Sequence, residues 1–171
     1  MNSTEITHVS EIIFEKERFS FGSLQEEIVV DRLCQNLLRV FCRELSLCQG
    51  FTAEAAGGKA HGADYFLRDF VISERRKNIF EVTPRDVTVF AGNWYIVKNL
   101  EPNIEELSEI LAGIDSFFEF CHNHGIISEE RRRELSEACS QLEFYRQRID
   151  DFWAIEKDGY FRWEAECTLK D

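Results

Sequence analysis

The sequence predicts a mainly α-helical fold, a bundle of four to five helices closed by a small C-terminal β-hairpin that an N-terminal strand would join. Three observations carry this. Ile104, Leu107, Leu111, Ile114, Phe118 and Cys121 recur at steps of three and four, so they share one helical face, and comparable stripes run through residues 24–45 and 135–152. Capping residues stand where the stripes begin. Two prolines and nine glycines in 171 residues leave little irregular chain, and fifteen phenylalanines supply a core.

At this length one domain, residues 1–171, buries roughly two-thirds of its unfolded surface without metals or disulfides. It divides into an N-terminal segment (1–22), a helical core (23–152) and the hairpin (153–169). In the first segment Ile6, Val9 and Ile13 suit a helix, but the run Ile12-Ile13-Phe14 followed by charged residues reads as a strand. Ser23 with Glu26 forms a capping box for a long helix carrying Leu24, Ile28, Leu33, Leu37, Phe41 and Leu45. The alanine- and glycine-rich stretch 53–62 then reads as a mobile connector. Its run Gly57-Gly58-Lys59-Ala60-His61-Gly62 lacks the spacing and the Lys-Ser/Thr ending of a phosphate-binding loop.

Residues 64–73 predict a short helix. Thr83, Pro84 and Asp86 then supply an N-cap, a first-turn proline and a carboxylate for the positive end of the dipole. Val87, Phe90, Trp94 and Val97 continue that helix to Glu101-Pro102, which stops it. Asn103 with Glu106 restarts one, and Gly125 stands where its C-cap needs a residue without Cβ. Ser128 caps the last helix, whose stripe is Leu135, Ala138, Leu142, Tyr145, Ile149 and Phe152. Lys157-Asp158-Gly159 lies between two alternating runs, around Trp153 and Ile155 on one side and Phe161 to Cys167 on the other. That pattern predicts the hairpin.

The formal charge of -12 opposes general attraction to phosphate backbones, and nucleic-acid affinity rests on Lys and Arg neutralising phosphates. Two local clusters run against it: Arg75, Arg76 and Lys77, and Arg131, Arg132 and Arg133. Brought together they would contact phosphates; apart, they pair with the acids around them. Cys121, His122 and His124, with Cys139 in the following segment, are the one compact group of soft ligands, although the spacing is not that of a zinc pair and Cys121 continues an apolar stripe. His61 is the histidine whose setting suggests ligand access. Glu105, Glu106, Glu109, Asp115 and Glu119 fall mostly off the apolar stripe and read as a solvated acidic face. No cofactor is implied.

The order Tyr65-Phe66-Leu67-Arg68-Asp69-Phe70, then Thr83-Pro84-Arg85-Asp86-Val87, then 114–121 and Gly125-Ile126-Ile127 resembles the core-binding, SAM-like helical domain of tyrosine recombinases. The resemblance covers about residues 63–145. It implies helices that clamp one side of DNA. That family's catalytic domain, with its Arg, His and Tyr, finds no counterpart in the 171 residues, so recombinase activity is not expected and no functional residue is carried over.

No signal peptide or membrane span is expected, which makes the cytoplasm the default compartment and the six cysteines reduced thiols. With no catalytic motif, the expected function is a non-catalytic protein-interaction or adaptor module whose partner is another protein or a second copy, acting through an acidic surface or an aromatic patch. Two alternatives belong to other classes: a nucleic-acid-binding accessory protein using the arginine clusters, and a small-ligand, metal-binding or catalytic protein.

Overall fold

In a computed structural model describing residues 15–170, the helix starts read from the sequence are helix starts of the fold. Ser23 caps α1 (Leu24–Cys48) through a reciprocal box: its Oγ accepts from Glu26 N at 3.3 Å, and Glu26 Oε2 accepts from Ser23 N at 3.0 Å. Thr83 and Asp86 form a second box ahead of α3 (Pro84–Val89). Asn103 accepts from Glu106 N ahead of α5 (Ile104–Asn123), and Ser128 from Arg131 N ahead of α6 (Glu129–Cys139). Gly125 adopts φ +70° just past α5, and Ile126 N reaches back to Cys121 O at 2.9 Å.

The glycine-rich stretch is helical, which corrects the expected connector. Thr52 caps α2 (Ala53–Asp64), which lies along α5. Glycine is needed there for space: a Cβ on Gly62 would stand 2.8 Å from Ile110 Cα, and one on Gly113 would run into Lys59 O. Lys59, read from sequence as a loop lysine, donates to Ser116 Oγ at 2.8 Å across this contact. Weak intrinsic propensity is overridden by a close helix–helix approach.

The expected short helix at 64–73 is the continuation of α2 as a π-helix, Tyr65–Glu74, closed by a bond from Arg75 N to Phe70 O. A second π segment, Phe90–Trp94, joins α3 to α4 (Tyr95–Lys98). The two π segments meet through their aromatics. Phe90 has ring centroids 5.0 Å from Phe66 and 5.4 Å from Phe70, and Trp94 lies 5.4 Å from Tyr65. Such pairs add about 0.5–1.5 kcal/mol each beyond their burial. This cluster belongs to a core fed by every long helix.

The last predicted helix is two. A break at Ser140 and Gln141 separates α6 from α7 (Leu142–Trp153), and the apolar stripe runs across it because the Tyr145 hydroxyl, 2.7 Å from Ala138 O, satisfies a carbonyl freed at the end of α6. The fold therefore holds more helical segments than four or five.

The C-terminal β-hairpin is not formed. Residues 153–158 end α7 and turn, and Gly159–Glu166 is a helix, α8. Tyr160, Trp163 and Cys167 satisfy helical spacing as well as the alternation did, and a two-stranded hairpin needs further packing that the helical form supplies by burying Trp163 against Phe152, with ring centroids 5.1 Å apart. The predicted N-terminal strand lies mostly outside the described residues; within them Lys16–Phe19 is a 3-10 turn.

One carboxylate ties acid stability to this frame. Asp86 is buried, and burial pushes its carboxyl up, but Lys77 Nζ at 2.6 Å with the Thr83 hydroxyl and amide, each at 2.7 Å, outweigh that and hold it below the usual carboxylate range. Because the folded pKa is depressed, its contribution is complete above the unfolded carboxylate pKa and is lost as pH falls through the folded value. Asp86→Asn is expected to lower the urea midpoint at pH 7 and to flatten its decline as pH falls below about 4, measured by denaturation at stepped pH.

Candidate functional site

The two basic clusters are largely committed to acids of the same chain. Arg76 pairs with Glu27 at 2.5 Å, Lys77 with Asp86, Arg131 with Glu134 at 3.5 Å, and Arg132 with both Glu129 and Glu119. Arg75 donates to Leu169 O at 2.6 Å, and Arg133 is exposed on α6. A phosphate at these positions would compete with carboxylates already in place.

Cys121 and Cys139 are buried, and burial pushes both thiols well above their ordinary range. The neighbouring histidines face elsewhere: His122 lies 3.2 Å from Glu129, and His124 lies 2.7 Å from Glu44 with its ring on Phe120. Among the described residues no three His, Cys, Asp or Glu side chains are grouped so as to hold a metal ion. His61 sits on α2 at the rim of an open groove against α1, beside Asp64 and Arg68. Arg68 forks onto Asp31 at 2.7 and 3.2 Å and reaches Asp64 at 3.0 Å, so that groove is neutralised from within.

A feature that no motif announced lies at the α7–α8 corner. Trp153, Phe152, Trp163, Tyr160 and Phe161 form an unbroken string of rings, with successive centroids 6.0, 5.1, 6.0 and 6.1 Å apart. Its middle is anchored and its ends are bare: Trp163 is 4% exposed, whereas Trp153 is 58% and Phe161 79% exposed. Trp153 Nε1 donates to Pro102 O at 3.3 Å, and its ring borders a groove with Pro102, Ile104 and Ile149 at the start of α5. Exposed acids at this corner, Glu105, Asp150, Asp151, Glu156 and Asp158, outnumber the exposed bases Arg146, Lys157 and Arg162.

What fixes the string is a buried cation. Arg148 is 2% exposed; its guanidinium lies 4.1 Å over the Trp163 ring, its Nε donates to Gly92 O at 2.9 Å and its Nη1 pairs with Glu166 at 3.1 Å. Trp163 Nε1 returns a bond to Arg148 O at 2.9 Å. Changing the hydrogen-bond register inside a helix disturbs its ladder, and Gly92 lies within the second π segment. From sequence, Arg148 is one more charge on a polar helix; only its partners, 56 and 15 residues away, mark it out.

No family model, curated protein or solved structure matches the chain. No helix among the described residues is long and apolar enough to cross a membrane.

Proposed function

We propose that the protein is a non-catalytic interaction module that docks a basic, apolar-bearing segment of another protein on the aromatic surface of the α7–α8 corner. The observation that carries this is the ring string itself, which leaves Trp153 and Phe161 largely in solvent while a buried Trp163–Arg148 stack holds its middle. Tryptophan and tyrosine dominate binding energy at protein interfaces, and rigid support under them lowers the entropy lost on docking. The acidic surround and the net charge of -12 select a cationic partner and disfavour both an anionic lipid surface and a second copy, which would bring like charges together. The nucleic-acid alternative is weaker, because most of its cations already hold carboxylates.

The paired substitution Trp153→Ser with Phe161→Ser tests this. Both side chains are exposed, so the melting temperature should stay within about 2 °C of wild type. Capture of basic proteins by the immobilised chain should fall at least tenfold, and capture by wild type should weaken as salt rises from 50 to 300 mM, on the order of the screening of rim charges. Equal capture by the double variant and wild type contradicts the reading.

A further inference from the structure

The outward face of α1 runs against the charge of the chain. All four acids of this helix are engaged within the molecule: Glu26 with the Gly22 and Ser23 amides, Glu27 with Arg76, Asp31 with Arg68 and Glu44 with His124. Its three cations, all exposed, are not engaged in that way. Among the described residues Arg32 and Arg43 meet no carboxylate, and Arg39 bonds only to the Asn36 side chain, at 2.9 Å. In a chain with 32 acidic residues against 20 basic ones, three arginines on one helix without an ion pair make a local cationic surface.

Two of these arginines stand over a groove. Ile28, Arg32, Gln35, Arg39 and Cys42 recur at steps of four and three, so one stripe of α1 forms its near wall. His61, Asp64, Arg68 and Ile72, from α2 and the first π segment, form the far wall. Gln35 and Arg68 line both halves of the groove, which therefore runs on for about four turns of α1, roughly 20 Å. Two neighbouring helical ridges with an open furrow between them are a seat for a third helix. Leu38 and Ile72 make the furrow apolar at its base, and Leu24, Ile28 and Val29 leave exposed aliphatic surface at one end. Arg68 takes both aspartates, Asp31 at 2.7 Å and Asp64 at 3.0 Å, so the pairing that neutralises the groove from within leaves no carboxylate there for Arg32 and Arg39.

We infer that this groove is a docking site for an acidic amphipathic helix of another protein, with carboxylates opposite Arg32 and Arg39 and aliphatic side chains against Ile28 and Leu38. The two arginines are seven residues apart, about 10 Å of helix, which is the separation of carboxylates two turns apart on one helical face. A short helix meets these cations directly, while the acidic surface elsewhere is screened beyond about 8 Å at physiological salt. A nucleic acid brings a continuous line of charge against the net -12, and no Phe, Tyr or Trp ring lines the groove for a base to stack on. An anionic bilayer meets the same repulsion and cannot enter a furrow between two helices. The site shares no residue with the α7–α8 corner and takes a partner of the opposite charge.

Cys42, in the groove wall, lets disulfide exchange measure occupancy, because a tethered segment is retained according to its non-covalent contacts. The full chain, with exposed Cys48 replaced by serine, is equilibrated in a thiol–disulfide buffer with two alanine-based helical peptides. Each carries one cysteine and a leucine stripe, with either two glutamates or two lysines seven residues apart beside it, and the adducts are weighed by mass spectrometry. The glutamate peptide should be captured at least fivefold over the lysine peptide, and Arg32→Glu with Arg39→Glu should reverse that order. Moving the glutamates to the opposite face of the peptide should lower capture at least threefold. Equal capture of the glutamate and lysine peptides, or no adduct from either, overturns the site. Undiminished capture after the glutamates are moved overturns the helical occupant. Loss of the glutamate adduct on adding duplex DNA or phosphatidylserine vesicles, but not phosphatidylcholine vesicles, overturns the protein partner in favour of that ligand. Both arginines are exposed, so the double variant should melt within about 2 °C of wild type. If it does not, Arg32→Gln with Arg39→Gln decides: the preference should vanish without reversing, and an unchanged preference refutes the assignment.

Discussion

Gly113→Ala is expected to destabilise the protein by about 3 kcal/mol, lowering its melting temperature by roughly 6–12 °C. In an ordinary exposed helix the same change stabilises, because alanine is the better helix former by about 1 kcal/mol. Here the added methyl would run into Lys59 O and lie 3.2 Å from Ala63 N, both main-chain atoms that cannot swing aside as a side-chain tip would. Gly57→Ala, on the facing helix α2, places its methyl where nothing lies within 4 Å and should stabilise by about 0.5–1 kcal/mol. Thermal unfolding followed by circular dichroism reads both. Opposite signs support the close α2–α5 approach, whereas a Gly113→Ala chain as stable as wild type would show that the helices stand further apart.

Arg148→Ala is expected to cost about 2–4 kcal/mol, close behind. The loss combines the charge-assisted bond to Gly92 O, the cation over Trp163 and the packing of a long aliphatic stem between α7, α8 and the second π segment. Glu166 is 59% exposed at its side chain and simply returns to water, so the penalty does not come from stranding a buried carboxylate. Arg148→Lys should recover less than half, since one ammonium cannot serve Gly92 O, Glu166 and the Trp163 face together. Urea denaturation measures the stability, and a red shift of tryptophan emission in a Trp153→Phe background, where buried Trp94 and Trp163 remain, reports whether α8 loosens. Wild-type stability in Arg148→Ala would remove the support proposed for the aromatic surface.

These two residues also show why some of the fold was legible in sequence and some was not. The caps at Ser23, Thr83, Asn103 and Ser128 act within one turn, so their signal is complete within four residues. The fit of Gly62 and Gly113 depends on a partner about fifty residues away, and without it a run of glycine and alanine reads as a connector. The C-terminal segment was ambiguous for a different reason. Over eight residues the spacing of Tyr160, Trp163 and Cys167 fits a helix while Phe161, Trp163 and Ala165 fit a strand, and burial of Trp163 under Arg148 decides.

The proposed interaction surface corresponds to the sequence expectation only as a class. An exposed aromatic patch was one of two surfaces expected, but its location depends on which rings of α7 and α8 turn outward, and the helical form of α8 sets that. Candidates chosen by residue type fared differently. Cys121 and Cys139 went to the core, His122 and His124 to separate glutamates, and most of the clustered cations to acids, because a chain with 32 acidic residues offers many of them a partner nearby.

Site-specific photo-crosslinking tests the interaction surface most directly. A photoreactive phenylalanine analogue replaces Phe161, with the same group at exposed Arg133 as the control, and each chain is irradiated in the cells that make it. A discrete adduct with a basic protein from position 161, absent from position 133 and lost on Trp153→Ser, is the predicted result. No adduct at 161, or the same adducts from both positions, would contradict an interaction module built on the α7–α8 corner.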